Sequence, residues 1–227
     1  MPILDSKIQN PKFSIQNPKS KIQNLDIRWL GLVDYQEAWE LQHDLVEKRA
    51  RGLCPDTLLL LEHPHVITRG RGYNGKTLVH TDYPIYDIER GGDITYHGPG
   101  QLVGYPILHL KERNLLIGHY LRLLEQVLID SLASFNLSAE RLKGFTGVWV
   151  RGKKIASIGV AVKSWVSYHG FALNVTTDLS QFQSLYPCGL EPQQMTSLER
   201  LLGTSPDLPT VRTHVQNAFR HHFSDKT

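Results

Sequence analysis

The most informative stretch of the chain is Arg90-Gly-Gly-Asp-Ile-Thr-Tyr-His-Gly-Pro-Gly-Gln101. Five of its twelve residues are glycine or proline, a density that builds neither a helix nor a regular central strand. Such a segment lets the backbone approach a ligand closely and aim amide groups at it. The same stretch supplies hydrogen-bonding side chains at Arg90, Thr95, Tyr96, His97 and Gln101. A purely structural loop is the alternative, but the pattern favours a ligand-binding loop.

The sequence on both sides of this loop contains strand and helix patterns. Strands are predicted over residues 27–33, 57–62, 66–68, 85–89, 94–110, 148–150, 154–162 and 170–175. Segment 94–110 reads as a long strand or a hairpin broken at Gly98-Pro99-Gly100, and 148–162 as a hairpin turning at Arg151-Gly152. Helices are predicted from the cap Asp34 to about residue 50, over 115–135, and near the carboxyl terminus. Because the elements interleave without regular alternation, we expect a single α/β (α+β) domain, a mixed β-sheet flanked by helices.

The composition excludes several classes of protein. The chain has 227 residues, of which 41% are hydrophobic and 21% charged, and this balance is ordinary for a globular protein. Its longest strongly apolar run, at about residues 57–61, is far too short to span a membrane. Two cysteines do not make a disulfide framework, and no secretory signal is visible. We therefore expect a reducing compartment and a cytoplasmic protein.

Residues 1–24 form a separate segment, in which Ile-Gln-Asn recurs at positions 8, 15 and 22. Pro11 and Pro18 exclude a coiled coil of that period, so we expect a disordered tail followed by one domain over 25–227. An organelle transit peptide is less favoured, because the segment lacks arginine and an amphipathic face. The tail carries the entire net charge of +3, since it holds four lysines and one aspartate. The remainder is neutral, which argues against a nucleic-acid-binding surface.

Two cysteines and one lysine are candidates for nucleophilic chemistry. Cys54 and Cys188 both lie beside proline in turn-like sequence, and the local sequence does not separate a reactive thiol from a buried one. A reactive thiol needs a base or a cation beside it. Lys154 opens an apolar strand where it could be desolvated and serve both roles, although a solvated turn residue is the interpretation that its local sequence favours. His97 and His169 lack the spacing of zinc ligands, so we expect no metal site.

Taken together, the motifs resemble the lipoyl(octanoyl) transferase family, the octanoyl-[acyl-carrier-protein]–protein N-octanoyltransferases. They are the 90–101 stretch with Tyr105, Gly152-Lys-Lys-Ile-Ala-Ser-Ile-Gly159, His169-Gly-Phe-Ala-Leu-Asn174 and Pro187-Cys-Gly189. These motifs occur in the family's order, and the resemblance spans about Ile27 to Leu201. The family is related in fold to the lipoate and biotin protein ligases, so the resemblance implies a catalytic domain of that kind.

The resemblance also implies an acyl-enzyme mechanism. Cys188 matches the cysteine that takes octanoate from the phosphopantetheine thioester of acyl carrier protein, and Lys154 matches the family's lysine partner. Cys54 matches no motif. The expected acceptors are lysine ε-amines on lipoyl domains of 2-oxoacid dehydrogenase complexes and on glycine cleavage H protein. No cofactor is expected, because thioester exchange is nearly isoenergetic and amide formation from a thioester is downhill. The substrate-binding residues implied by the match are Arg90, Gly91, Gly92, Asp93, Ile94, Thr95, Tyr96, His97, Ser157, Ile158, Gly159, Gly170, Phe171 and Ala172.

Further expectations concern the surroundings of the reacting groups. Apolar walls for the acyl chain are expected at Ile94, Tyr96, Ile155, Ile158 and Phe171. Oxyanion donors are expected among the backbone amides of Gly170-Phe171 or Cys188-Gly189. A basic patch at Arg69, Arg71, Lys76 and Arg90 would suit an acidic carrier protein.

Two other functions remain open at this stage. One is an ATP-dependent lipoate ligase acting through an acyl-adenylate, because Arg69-Gly-Arg-Gly72 is similar to the glycine–arginine loop of biotin ligases. The other is a protein that binds lipoyl domains without catalysis.

Overall fold

The computed structural model describes residues 25–75, 81–182 and 194–224. The elements in this part of the chain, in order, are β1 (Asp26–Leu32), α1 (Tyr35–Ala50), β2 (Thr57–Glu62), β3 (Val66–Arg69), β4 (Ile85–Asp87), β5 (Ile94–His97), β6 (Gln101–Ile107), α2 (Ile117–Ala133), β7 (Ala139–Glu140), β8 (Gly147–Val150), β9 (Lys153–Lys163), β10 (Val166–Asn174), a 3₁₀ turn (Leu179–Phe182), α3 (Leu198–Leu202) and α4 (Leu208–Phe223). The predicted tail, Lys76, Cys188 and Gly189 lie outside the described residues.

The described strands form two sheets. The larger has seven strands in the order β1-β2-β6-β10-β9-β8-β7, and the smaller has three in the order β4-β3-β5. In the larger sheet β1 runs parallel to β2, whereas the other neighbours are antiparallel. The predicted mixed sheet is therefore confirmed.

Helices cover both faces of the larger sheet. Leu58 and Leu60 of β2 pack with α2 and α4 in one hydrophobic cluster, and Leu59 and Leu61 pack with α1 in another. Successive side chains of a strand point to opposite faces, so β2 needs apolar residues at every position. This explains why the sequence of β2 is a continuous leucine run instead of an alternating one.

The helix boundaries follow from capping and apolar periodicity. The Asp34 side chain accepts a hydrogen bond from the backbone N–H of Gln36 at 2.8 Å, and α1 begins directly after it as predicted. Val211, Val215 and Phe219 are all buried on α4, at the spacing of one helix face. No helix in the described ranges is both long and apolar enough to cross a bilayer.

The two turns singled out in the sequence behave differently. Arg151 and Gly152 both have positive φ, 49° and 73°, and join β8 to β9 as the predicted hairpin. The hairpin prediction for 94–110 is wrong, because β5 pairs with β3 in the small sheet and β6 pairs with β2 and β10 in the large one. The Gly98-Pro99-Gly100 segment instead crosses between the sheets, where the Gly100 carbonyl accepts hydrogen bonds from the amides of Val175 and Thr176.

Candidate active site

Two glycine-rich segments pack against each other beside the large sheet. The amides of Arg71 and Gly72 donate to the carbonyls of Arg90 and Gly92 at 3.0 and 2.9 Å. A Cβ atom at Gly70 would lie 2.4 Å from the Gly92 carbonyl oxygen, so only glycine permits this approach. The amide of Gly91 in turn donates to the Val160 carbonyl of β9 at 2.9 Å. Segment 90–93 is therefore fixed over the sheet from two sides.

Arg90 lies beneath this segment and not on the surface. Its guanidinium donates to the carbonyl of Thr68 at 2.8 Å and to the carbonyl of Gly91 at 3.1 Å, and the residue is only 7% exposed. Arg69 forms a two-bond ion pair with Asp87. The prediction that Arg90 belongs to an exposed basic patch is therefore wrong, because this side chain is buried within the loop.

A cleft opens between segment 90–93 and the face of the sheet that α1 covers. Eleven of the fourteen residues expected to bind substrate line it: Arg90, Gly91, Gly92, Thr95, His97, Ser157, Ile158, Gly159, Gly170, Phe171 and Ala172. The other lining residues are Tyr35, Ile88, Tyr105 and His169. Small residues of β9 and β10 thus provide the floor, and the loop provides a wall.

Three residues of the expected binding set do not line the cleft. Ile94 and Tyr96 pack in a separate apolar cluster with Ile67, Phe182 and Met195. Asp93 accepts a hydrogen bond from the amide of Ile94 through its own side chain. Alternation along β5 explains the division, because Thr95 and His97 face the cleft while Ile94 and Tyr96 point away.

The structure also differs from one expectation for the walls of the acyl slot and from one for the oxyanion donors. Ile155 packs in the main core and does not form a wall of the cleft. Gly170 and Phe171 are paired within β10, with Gly159 of β9 on one side and Gly104 of β6 on the other. Their backbone amides therefore lie in the plane of the sheet, and they are not available as oxyanion donors.

Two buried histidines beside the cleft, His63 and His97, are uncharged at neutral pH. His63 Nδ1 lies 2.7 Å from the Val33 carbonyl, which only accepts, so this nitrogen donates and Nε2 accepts from the Tyr105 hydroxyl at 2.7 Å. Burial lowers the pKa of His63 to about 4. Burial, together with the charge of Arg90, lowers the pKa of His97 to about 3.

A chain of hydrogen bonds leads from the cleft to Lys154. His97 Nδ1 donates to Gln101 Oε1 at 2.7 Å, and Gln101 Nε2 donates to Asn174 Oδ1 at 2.9 Å. Asn174 Nδ2 donates to the Thr196 carbonyl, and the Thr196 amide donates to the Lys154 carbonyl at 2.9 Å. Three of the recognised motifs are thereby joined through buried side chains.

Lys154 is buried at the start of β9, with 2% of its surface exposed. The interpretation of Lys154 as a solvated turn residue is therefore wrong. Its Nζ atom lies 5.3 Å from the centroid of the Trp149 ring, and its main chain forms a bridge with Met195. The Lys154 side chain is therefore removed from solvent, with an aromatic face beside its Nζ atom.

The structure describes the surroundings of Cys54 but not those of Cys188. Cys188 lies outside the described residues, and the described range that follows it begins at Gln194, next to the Met195 that bridges to Lys154. Cys54 packs behind α1 with its Sγ 3.8 Å from the Leu45 carbonyl, and burial raises the pKa of its thiol. Cys54 does not line the cleft, which is consistent with its lack of a motif.

Three polar side chains that meet in the cleft, those of Tyr35, Tyr105 and His169, were not among the expected binding residues. Tyr35 stacks at 6.4 Å on His97, and Tyr105 reaches His63. His169 donates from Nε2 to Glu89, while its buried Nδ1 has no hydrogen-bond partner among the described residues. Tyr105 and His169 belong to the quoted motifs and could have been included, whereas nothing in the local sequence of Tyr35 points to a site. Within the same described residues, no group of three His, Cys, Asp or Glu side chains could hold a metal ion.

Comparisons with known proteins agree with this architecture. The family described as "Lipoyl protein ligase A/B catalytic domain" matches residues 34–220. The octanoyltransferase of Rubrobacter xylanophilus is 49% identical over 211 residues, which cover 88% of this chain and 95% of the relative.

Solved structures show the same fold at low sequence identity. Lipoate-protein ligase A bound with ATP has a TM-score of 0.68 at 16% identity, covering 90% of this chain and 89% of that chain. Biotin protein ligase from Aquifex aeolicus has a TM-score of 0.54 at 18% identity, covering 87% and 69%. The predicted likeness in fold to these ligases is confirmed.

Proposed function

The chain belongs to the lipoyl protein ligase A/B catalytic domain family, and we propose that it is an octanoyltransferase that acts through Cys188 and Lys154. Octanoyl transfer is the activity named for the relative that matches this chain at 49% identity over nearly its whole length. The ligases match only in fold, at 16% and 18% identity. The observation that carries the proposal is a buried lysine at the start of the strand whose later residues floor the cleft.

The location of Lys154 supports a dyad with Cys188. The segment that contains Cys188 is joined on one side to Phe182 and on the other to Met195, and both of these residues pack in the same apolar cluster. Met195 also bridges to the main chain of Lys154. The covalent chain on either side of the cysteine is therefore anchored near the lysine.

The first half-reaction transfers the acyl group to the enzyme. Lys154 accepts the proton of the Cys188 thiol, and the thiolate attacks the thioester carbonyl of octanoyl-acyl carrier protein. The new carbon–sulfur bond to Cys188 forms as the bond to phosphopantetheine breaks. The Lys154 ammonium returns its proton to the departing thiolate. One thioester replaces another, so no ATP is consumed.

The second half-reaction forms the product amide. The ε-amine of an acceptor lysine attacks the Cys188 thioester, and Lys154 takes the proton that the amine loses. Lys154 then passes this proton to the Cys188 sulfur as the carbon–sulfur bond breaks, which restores the thiol. The acceptors that we propose are lipoyl domains of 2-oxoacid dehydrogenase complexes and glycine cleavage H protein. This step is downhill because an amide is more stable than a thioester.

The cleft is suited to the octanoyl chain. Its floor of Ser157, Gly159, Gly170 and Ala172 consists of residues with small side chains or none, which do not obstruct an alkyl chain lying on them. His63 and His97 beside it carry no charge at neutral pH, so these two histidines do not place a buried ion against the chain. We propose that the cleft-lining residues of segments 90–97, 157–159 and 170–172 bind the acyl group.

Intact mass spectrometry after incubation with octanoyl-acyl carrier protein tests the nucleophile. We expect the protein to gain about 126 Da, the mass of octanoic acid less water, through a covalent intermediate. Cys188→Ser should abolish this adduct, and the matched variant Cys54→Ser should retain it. An adduct that persists in Cys188→Ser and disappears in Cys54→Ser would show that Cys54 is the nucleophile and would contradict the proposed role of Cys188.

The ligase alternative is tested by leaving out nucleotide. An octanoyltransferase forms octanoylated lipoyl domain from octanoyl-acyl carrier protein without ATP or magnesium. Product that appears only from free octanoate with ATP and magnesium would instead establish an acyl-adenylate mechanism.

A further inference from the structure

An aromatic ring lies against the buried Lys154 side chain. The indole of Trp149 is itself buried, at 3% exposure, and its ring centroid is 5.3 Å from Lys154 Nζ. An ammonium group over an aromatic face is attracted by the negative charge density of the ring, and more strongly where water is excluded. Trp149 stands in none of the motifs that indicated the function.

The pairing of β8 with β9 places this ring. Val148 lies opposite Ala156, but the next residue, Trp149, lies opposite Lys154, so Ile155 is the extra residue of a β-bulge. Without the bulge, Trp149 would face Ile155, and its ring would be on the other side of the sheet from Lys154. The irregularity therefore brings the ring and the lysine to the same face.

Gly147 makes room for the lysine stem. Its φ of 142° is a conformation that residues with a side chain rarely adopt. A Cβ atom there would lie 2.9 Å from Lys154 Cε and 2.6 Å from the Ala156 carbonyl oxygen. The aliphatic part of Lys154 thus crosses the bare backbone of Gly147 on its way to the ring.

A buried carboxylate anchors this end of β8. Glu125 of α2 is fully buried, and its Oε1 accepts a hydrogen bond from the Gly147 amide at 3.2 Å. Its Oε2 accepts from Arg122 at 2.7 Å and from Arg141 at 2.9 Å. A buried carboxylate is tolerated when it is paired in this way, and the pairs tie the start of β8 to the helix.

We propose that Trp149, placed opposite Lys154 by the β9 bulge and anchored through Gly147 and Glu125, is a positioning residue that holds the Lys154 amine for proton transfer. The inference rests on the proposed function. A lysine side chain has a flexible four-carbon stem, which does not by itself hold the amine in one orientation. The ring holds its ammonium in one location, so the Lys154 nitrogen keeps a fixed position from one proton transfer to the next.

A set of tryptophan variants tests the positioning role, measured as the single-turnover rate of acyl-enzyme formation and as KM for octanoyl-acyl carrier protein. Trp149→Leu should slow acylation about 10-fold and leave KM within about 2-fold, because the loss is in orienting the base and not in binding. Trp149→Phe keeps an aromatic face and should recover most of the rate.

The matched control is Trp29→Leu. Trp29 also has a cation over its ring, with Arg212 Cζ 4.6 Å from the centroid, but it lies on β1, five strands from β8 and about 24 Å away across the sheet. The same substitution there should leave the acylation rate unchanged. An equal slowing in Trp29→Leu would show a general effect of losing tryptophan and would overturn the inference.

A double-mutant cycle separates positioning from structural damage. Lys154→Met should slow acylation by about 10²–10⁴-fold, the range for loss of a general base. In the Lys154→Met background, Trp149→Leu should have no further effect, because the group that the ring positions is gone. An equal slowing by Trp149→Leu in both backgrounds would contradict the positioning role.

Fluorotryptophan provides a measurement that does not depend on a variant folding. It replaces the four tryptophans of the chain with nearly isosteric rings of weaker negative face. Labelling should slow acylation in the native sequence but not in Lys154→Met. An unlabelled native protein that forms no acyl-enzyme would contradict the proposed function itself, whereas a normal rate in both labelled native protein and Trp149→Leu would contradict only the role of Trp149.

Discussion

Tyr105 and His63 show how single residues supply polar groups beside the cleft without adding charge. The Val33 carbonyl makes His63 Nδ1 a donor, which leaves His63 Nε2 as an acceptor for the Tyr105 hydroxyl. Both groups are buried, so each depends on the other for its hydrogen bond. Neighbouring His97 is held by Gln101 in the same tautomeric form. These contacts provide hydrogen-bonding side chains beside the cleft without adding a charge.

Removal of the Tyr105 hydroxyl should therefore destabilise the protein. Tyr105→Phe leaves His63 Nε2 buried without a donor, and we expect the free energy of unfolding to fall by about 1–3 kcal/mol. Urea denaturation measures this change. Tyr120→Phe is the matched control, because the buried Tyr120 hydroxyl approaches Ser167 but makes no hydrogen bond of normal geometry within the described chain. Equal losses in the two variants would contradict the assigned His63–Tyr105 hydrogen bond.

The elements around the site act through close backbone contacts. Segment 90–93 reaches β9 through the Gly91 amide and the Val160 carbonyl, and Gly159 lies directly beneath it. A Cβ atom at Gly159 would lie 2.8 Å from the Gly91 carbonyl oxygen and 3.1 Å from Arg90 Cδ. The width of the cleft is therefore set by how closely this loop can approach the strand.

Gly159→Ala should push segment 90–93 away from β9. We expect the free energy of unfolding to fall by about 1–3 kcal/mol, the usual cost of overpacking, and KM for octanoyl-acyl carrier protein to rise because the cleft changes shape. Gly118→Ala is the control, since a Cβ atom at that position of α2 meets nothing within 4 Å. This helical substitution should leave KM unchanged and stabilise the protein by at most about 1 kcal/mol. A KM for Gly159→Ala equal to that of the native protein would contradict the prediction that the contact between segment 90–93 and Gly159 affects substrate binding.

The whole molecule buries histidines that the unfolded chain exposes. His63 and His97 have pKa values of about 4 and about 3 in the folded protein, because burial disfavours their charged forms. In the unfolded chain a histidine takes up a proton below about pH 6.5. The unfolded state therefore binds more protons than the folded state at mildly acidic pH, and acid favours unfolding.

Stability should fall as the pH drops below about 6.5. Between pH 7.5 and pH 5, each of these two histidines should lower the free energy of unfolding by about 2 kcal/mol. The loss is about 1.36 kcal/mol per pH unit and accumulates over the roughly 1.5 units below pH 6.5. The hydrogen bond from His169 lowers the pKa of Glu89 to about 2, so the stability contributed by Glu89 is lost only below about pH 4.5 and does not enter this window. Urea denaturation at both pH values measures the loss. His97→Gln should reduce the loss by one histidine's share, and an unchanged pH dependence in that variant would contradict the linkage.

Much of the architecture follows from short-range patterns in the sequence. The Asp34 cap, the apolar face of α4 and the turn at Arg151-Gly152 are each decided by a few neighbouring residues. The glycine-rich 90–101 stretch and the short motifs indicated the family, and most of the binding residues expected from them line one cleft. These features depend on backbone preference and periodicity, which the local sequence contains.

The sequence by itself therefore determined most of the elements, the fold class and the family, whereas the tertiary structure decided which elements meet. Tertiary structure separates β5 from β6 into different sheets, buries Lys154 and turns Trp149 toward it through a bulge. It also brings Tyr35 from the start of α1 into the cleft. The physical reason is that strand pairing and burial depend on contacts between residues far apart in the chain, and no local preference specifies the partner.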